Sequence, residues 1–173
     1  MCVYRYKQRA RILYAEPDPG TNHYLSQVEV ADINRSSGTT HSLPGAFLTL
    51  RCWQAASQQA PWMVVVDRAG RMFRLDAGFK ARQVQERVGA GAGVVNLEGD
   101  AGPELVLSDQ VWPGEADGLR VIARNEVLWQ TRELVGNVVA VAGGVFRAGG
   151  PTQALLATVE PGESASRIYL LGR

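Results

Sequence analysis

Short apolar runs separated by turn-forming residues recur along the chain at a regular distance. The clearest succession occupies residues 93–97, 105–107, 119–123 and 127–134. Runs this short, rich in Val, Leu and Ile and bounded by Gly, Pro, Asp and Asn, are typical of β-strands. The succession returns about every 46 residues, which is the spacing expected of one blade in a β-propeller.

Aligning the runs by type predicts four repeats, approximately residues 1–44, 45–89, 90–135 and 136–173. The first three repeats each contain four predicted strands, whereas the last contains three. The predicted fold class is therefore all-β, a four-bladed or partial β-propeller of about four antiparallel blades in one domain. Only residues 79–88 have a pattern compatible with a helix, and their position in the repeat predicts a polar outer strand instead.

The ends of the chain leave two arrangements open. One is a closed four-bladed ring with a weak last blade, and the other is part of a larger ring. Unpaired strand edges at both ends favour the partial ring, because such edges need to be covered. The last repeat is strongly apolar. We therefore expect it to mediate self-association or docking onto a partner that completes a larger propeller.

Composition excludes some partners. The 173 residues carry a net charge of +1, so no global field attracts nucleic acid or an acidic membrane. No apolar stretch approaches the length of a membrane span, and residues 1–6 lack the pattern of a signal peptide. A local basic run, Arg5, Lys7, Arg9 and Arg11, would occupy one face of a strand. That face is interpreted as solvated, with a patch for an anionic partner as the alternative.

The two cysteines, Cys2 and Cys52, are too few for a disulfide framework. Both fall on predicted first strands of adjacent blades. Two unpaired thiols are the favoured interpretation, although a bridge between the two strands is geometrically conceivable.

The segment 96–105, Asn-Leu-Glu-Gly-Asp-Ala-Gly-Pro-Glu-Leu, resembles the Asp-x-Asp-Gly-Asp-Gly-x-x-Asp/Glu-Leu loop of FG-GAP/VCBS repeats. These repeats are the blades of integrin-α-like propellers. Residues 118–129 also resemble the third and fourth strands of that family, which commonly end in Trp. The resemblance covers residues 90–134 and implies a loop that joins the first two strands of a blade and often holds calcium.

By this resemblance, Asn96, Glu98, Asp100 and Glu104 supply side-chain oxygens to Ca²⁺, and Gly102 supplies a carbonyl oxygen. Calcium takes several oxygen ligands at about 2.3–2.6 Å, which alternate residues of a tight loop can provide together. The sequence departs from the family by having Asn96 and Glu98 where Asp is usual. A loop held by its own hydrogen bonds is therefore the alternative to a calcium site.

Catalytic signatures are weak. The two histidines, His23 and His41, lie among polar turn residues, and no Gly-x-Ser-x-Gly motif occurs. The glycine-rich segment 89–93 does not open a helix, as a phosphate-binding loop would. Four acids at strand ends are interpreted as solvated turn carboxylates: Asp67, Asp76, Asp109 and Asp117. We therefore predict a non-catalytic binding module; the alternative is a hydrolase- or lyase-type propeller with a carboxylate site in its central funnel.

The expected partner is a protein or a glycan bound by the loops. Trp112 lies in the long polar loop 109–117 and is predicted to anchor a partner, with packing of the loop itself as the alternative. Trp53 and Trp129 are predicted to pack between blades. The resemblance suggests an extracellular or cell-envelope location, whereas the start of this chain lacks an export signal.

Overall fold

A computed structural model describes residues 1–15, 24–29, 39–43, 46–55, 60–99, 102–111, 115–160, 162 and 166–172. Over these residues the regular structure consists of strands and turns, without a helix. Accordingly, the described part of the chain contains no helix long and apolar enough to cross a membrane. The chain divides into two compact units, Met1–Glu86 and Arg87–Arg173.

The first unit contains two four-stranded antiparallel sheets, each with its strands in chain order. The first sheet consists of β1 (Cys2–Tyr6), β2 (Arg9–Ala15), β3 (Tyr24–Glu29) and β4 (Thr39–Ser42). The second consists of β5 (Phe47–Trp53), β6 (Trp62–Asp67), β7 (Met72–Leu75) and β8 (Ala81–Gln85). One apolar cluster, which includes Leu13, Leu50 and Leu75, forms the core of this unit.

The second unit contains a four-stranded and a three-stranded antiparallel sheet. The third sheet of the chain consists of β9 (Val88–Val95), β10 (Glu104–Asp109), β11 (Asp117–Ala123) and β12 (Glu126–Leu134). The fourth consists of β13 (Asn137–Gly144), β14 (Gln153–Val159) and β15 (Ser166–Leu171). Their shared core includes Val106, Leu119, Val138 and Leu156.

The prediction of an all-β chain with antiparallel sheets is confirmed. Continuous apolar runs are buried on both faces, as in β6, where every residue from Met63 to Val66 is at most 1% exposed. Outer strands are polar: β8, in the segment with the ambiguous pattern, is a strand of mixed half-buried and exposed residues. The predicted first strand of the third repeat begins earlier than expected, at Val88.

The basic run near the start of the chain does not lie on one strand. Tyr6 pairs with Arg9, so Lys7 and Gln8 form a two-residue hairpin turn between β1 and β2. Both turn residues have positive φ, 48° and 65°, as a type I′ turn requires. The prediction that these basic residues share a strand face is therefore wrong, because the chain reverses direction at Lys7 and Gln8. The sequence did not indicate this turn, because neither Lys7 nor Gln8 is a residue typical of it.

Glycines in β9 allow the third and fourth sheets to approach closely. A Cβ atom on Gly91 would lie 2.9 Å from Val138 Cβ, and one on Gly93 would lie 2.9 Å from Val141 Cβ. Real Cβ atoms essentially never approach other heavy atoms that closely. The glycine-rich segment is thus part of a strand, where the missing side chains make room for β13.

Candidate functional site

The loop that resembles FG-GAP/VCBS repeats connects β9 to β10, the first two strands of the third sheet. Asn96 Oδ1 accepts a hydrogen bond from Gly99 N–H at 2.6 Å, and Gly99 has a φ of 74°. Glu104, at the start of β10, is 1% exposed, and its Oε2 accepts a hydrogen bond from Leu97 N–H at 2.5 Å. These two bonds hold both ends of the turn, so the described part of the loop is shaped by its own side chains.

The described residues do not by themselves form a calcium site. Within this part of the chain, no group of three or more His, Cys, Asp or Glu side chains could hold a metal ion. Glu98 is exposed, whereas Glu104 is buried and bonded to the backbone. The predicted ligand Asp100 lies outside the described residues. Calcium binding by this loop therefore stays a prediction.

An apolar groove lies beside this loop, between the third and fourth sheets. Its volume is about 300 Å³, and its described lining consists of Leu97, Glu98, Glu104, Val121, Leu128, Trp129, Leu171 and Gly172. The volume is at the lower end of the range for ligand pockets, about 300–1,000 Å³. A groove of this size has room for a few amino-acid side chains.

A β-bulge explains why Leu128 and Trp129, which are consecutive, both line the groove. Val121 pairs with Trp129 while Ile122 pairs with Val127, so Leu128 is an extra residue in β12. Successive residues of a regular strand point to opposite faces, whereas a bulge sets two residues opposite one and redirects their side chains. Leu128 is 47% exposed and Trp129 is 44% exposed.

The structure corrects the predicted role of Trp129. Packing between blades would bury this side chain, yet it lies on an exposed outer strand at the edge of the groove. The available signal was the run Val127–Trp129 on a strand that is otherwise mostly polar, because three consecutive apolar residues interrupt the alternation. Trp112, predicted to anchor a partner, lies outside the described residues.

Two acids predicted to be solvated are instead buried. Asp67 is 3% exposed, and its Oδ1 accepts hydrogen bonds from Ala69 N–H and Arg71 N–H. Asp117 is 2% exposed; its Oδ2 accepts a hydrogen bond from Val138 N–H on β13 at 2.8 Å. Burial raises the pKa of Asp117, and the backbone N–H donors oppose that rise. Both carboxylates therefore serve the architecture by accepting backbone hydrogen bonds.

Acid–arginine pairs recur where the second strand of a sheet meets the third. The described ion pairs of this kind are Asp67–Arg71, Asp109–Arg120 and Glu160–Arg167, at 2.7, 2.9 and 2.7 Å. Each pair spans the connection from the second to the third strand. The repeated position points to a structural role rather than a catalytic one.

Of the two histidines, His23 lies outside the described residues. His41 stacks on Phe79 with ring centroids 3.8 Å apart, and burial lowers its pKa. Stacking on a core side chain gives His41 a packing role within the first unit.

Comparisons with known proteins show the fold. No protein-family model matches the chain, and no curated protein matches it. A crystal structure of BBS1N in complex with ARL6DN, soaked with lead, matches with a TM-score of 0.64 and 12% identity, over 96% of this chain and 48% of that chain. A mercury-soaked crystal of the same complex matches with a TM-score of 0.63 and 14% identity, over 95% and 44%.

BBS1N is a β-propeller, so the sheets of this chain are propeller blades, as the repeat spacing predicted. The chain spans about half the length of these two structures. At such low identity the likeness shows the fold alone.

Proposed function

We propose that this chain is a propeller interaction module whose groove between the third and fourth blades binds an apolar segment of a protein partner. The observation that carries this proposal is the bulge in β12, which turns Leu128 and Trp129 together toward one groove. BBS1N, a propeller of the same fold, was crystallised in complex with ARL6DN. That complex supports a protein as the class of ligand.

The chemistry of the groove favours recognition over catalysis. Its lining is mainly apolar, with Leu97, Val121, Leu128 and Leu171 around Trp129. Tryptophan is enriched among residues that dominate binding energies, because it offers a large apolar surface and a hydrogen-bond donor. A hydrolase or lyase site needs titratable groups that converge on a reacting atom. No observation on the described residues favours that alternative.

We infer further that the third blade is an FG-GAP/VCBS-like repeat. The position of its loop between the first two strands and the turn at Asn96–Gly99 support this assignment. Calcium in that loop would lie next to the groove, because Glu98 and Glu104 belong to both. Calcium binding would then affect the groove as well as the loop.

Self-association is a separate expectation with its own surface. Ile168 is 70% exposed and Leu170 is 54% exposed on β15, the edge strand of the fourth sheet as described. Leu156 on the neighbouring strand is buried, so only part of the apolar last repeat is available. The mass of the chain in solution, measured by light scattering, distinguishes self-association from binding in the groove.

The test begins with a library of random displayed peptides, from which those that bind the wild-type chain are selected. The selected peptides are then synthesised with a label, and their affinities are measured. We expect the selected peptides to carry apolar side chains and to lose about 30-fold or more in affinity for Trp129→Ala, because loss of a hot-spot Trp costs about 2 kcal/mol or more. A Leu128→Asp variant should weaken the same peptides by introducing a charge into the groove.

Val127→Ala is the matched control. Val127 is 52% exposed on the same strand but does not line the groove as described. Affinities should be unchanged in this variant. Peptides that bind wild type and Trp129→Ala equally well would refute the groove as the binding site, and binding of glycans alone would refute a protein ligand.

A further inference from the structure

The two cysteines lie against each other inside the first unit. Both are free thiols, as the sequence predicted, with Cys2 on β1 and Cys52 on β5. Cys2 is 4% exposed and belongs to the core cluster, and Cys52 is half-buried and packs against the same cluster. The thiols thus bring together the first strands of two successive blades.

Hydrogen bonds make the two sulfurs chemically unequal. The thiol of Cys2 donates to the sulfur of Cys52, which also accepts a hydrogen bond from Val3 N–H. The bond from Cys2 lowers the pKa of Cys52, whereas the bond to Cys52 and burial raise the pKa of Cys2. Cys52 is also the more exposed of the two thiols, whereas Cys2 is buried, so Cys52 is the sulfur that an external disulfide reaches first.

A side-chain amide holds the two strands in position near the sulfurs. Gln54 Oε1 accepts a hydrogen bond from Arg5 N–H at 2.7 Å, and Gln54 Nε2 donates one to Arg5 O at 2.7 Å. This pair of bonds joins the end of β5 to β1. The strands are therefore fixed to each other close to the cysteines before any covalent bond forms.

We propose that Cys2 and Cys52 form a redox-active dithiol that a small disulfide, such as oxidised glutathione, converts into an intramolecular disulfide between β1 and β5. In the first step the Cys52 thiolate attacks one glutathione sulfur, forms a mixed disulfide and releases one glutathione thiolate. Cys2 then loses its proton to water and attacks the Cys52 sulfur, which releases the second glutathione thiolate.

The exchange is balanced in atoms and electrons. Two protein thiols are oxidised to one disulfide, and one glutathione disulfide is reduced to two glutathione molecules, whose thiolates take up the two protons. The product encloses residues 2–52 in a covalent loop, so the first blade can no longer separate from the first strand of the second. Reduction by a thiol reverses both steps, and the proposal is independent of the groove in the second unit.

The test is intact-mass spectrometry of the folded chain incubated with oxidised glutathione and then treated with N-ethylmaleimide. Wild type should lose the mass of two hydrogen atoms and take up no maleimide. Cys2→Ala should stop at one glutathione adduct on Cys52, because the second nucleophile is missing. Cys52→Ala should remain unmodified until it is unfolded, because Cys2 is buried.

Two kinetic comparisons keep the proposal testable if a cysteine variant fails to fold. Ring closure from the mixed disulfide should be at least about tenfold faster in folded wild type than in urea, because the folded strands hold the sulfurs in contact. Gln54→Ala should slow ring closure while leaving the first step unchanged. Stable glutathione adducts on both cysteines of wild type, an unmodified wild type, or equal closure rates with and without urea would each overturn the proposal.

Discussion

The close approach of β9 and β13 makes a quantitative prediction for Gly93→Ala. The added Cβ would lie 2.9 Å from Val141 Cβ and nearer still to Val141 Cγ1, whereas ordinary contacts are 3.4–4 Å. Val141 is buried and belongs to the core shared by the two sheets, so it has little room to move. The strands must therefore separate by about half an ångström or more, which loosens the packing on both sides.

Overpacking of this kind lowers the free energy of unfolding by about 1–3 kcal/mol. Replacing Gly by Ala also lowers the conformational entropy of the unfolded chain, which raises the free energy of unfolding by about 0.4–1 kcal/mol. We expect Gly93→Ala to lower the free energy of unfolding by about 1–2 kcal/mol. Urea unfolding followed by circular dichroism measures the change, and hydrogen exchange of β9 and β13 assigns it to the second unit. Gly102→Ala is the control: its Cβ would meet nothing within 4 Å, so only the unfolded-state effect remains, and the variant should be more stable than wild type by about 0.4–1 kcal/mol.

A double-mutant cycle identifies the cause. Val141→Ala removes the γ carbons that crowd the new methyl, so the double variant should be more stable than the sum of the single effects by about 1 kcal/mol. Val138→Ala should relieve Gly91→Ala less, because a Cβ on Gly91 also lies 2.8 Å from the Val138 carbonyl oxygen. Additive effects at Gly93 and Val141, or a Gly93→Ala variant as stable as wild type, would refute the packing argument.

Three further predictions concern the turn, the buried acid and the loop. Replacing Lys7–Gln8 with Asn-Gly should stabilise the first sheet by about 0.5–1 kcal/mol in urea unfolding, because Asn-Gly favours the positive φ of a type I′ turn; no gain would contradict the assigned turn. Burial raises the folded-state pKa of Asp117 above its ordinary 3.8, so its contribution to stability is greatest below that value and is lost as pH rises through the folded pKa. The stability of wild type relative to Asp117→Asn should therefore fall over that pH range, and a difference independent of pH would contradict the raised pKa. If the loop binds calcium, a free calcium concentration of 100 times the dissociation constant should stabilise the chain by about 2.7 kcal/mol and raise its melting temperature. Asp100→Ala should abolish this rise. An unchanged wild-type melting curve at millimolar calcium would contradict calcium binding by the loop.

Strand positions were predictable because they depend on local patterns. The first strand predicted to contain Cys2 is β1 (Cys2–Tyr6), and the exposed residues of β8 follow from its polar sequence. Alternating apolar and polar residues indicate a strand with one buried face, and a continuous apolar run indicates a strand buried on both faces. Both patterns can be recognised without knowing which strands are neighbours. The positions of Asn96 and Glu104 at the two ends of one loop also followed from the motif.

Burial of the acids could not be predicted, because it depends on atoms distant in sequence. Asp117 is buried since Val138 N–H, on another sheet, supplies a hydrogen bond to its carboxylate. A strand-end acid in solvent and one that joins two blades look alike in sequence. The same holds for Gly93, whose lack of a side chain matters only because Val141 lies opposite.

The sequence by itself determined the repeat and the order of the strands, because hydrophobic alternation and turn residues act over a few positions. Only the tertiary structure decided where a partner could bind. The groove depends on one extra residue in β12, Leu128, which shifts its register against β11, and on Leu171 from the neighbouring sheet. Strand register and contacts between sheets are set by packing over long distances in the chain, so the alternation along β12 alone did not reveal that Trp129 lines a groove.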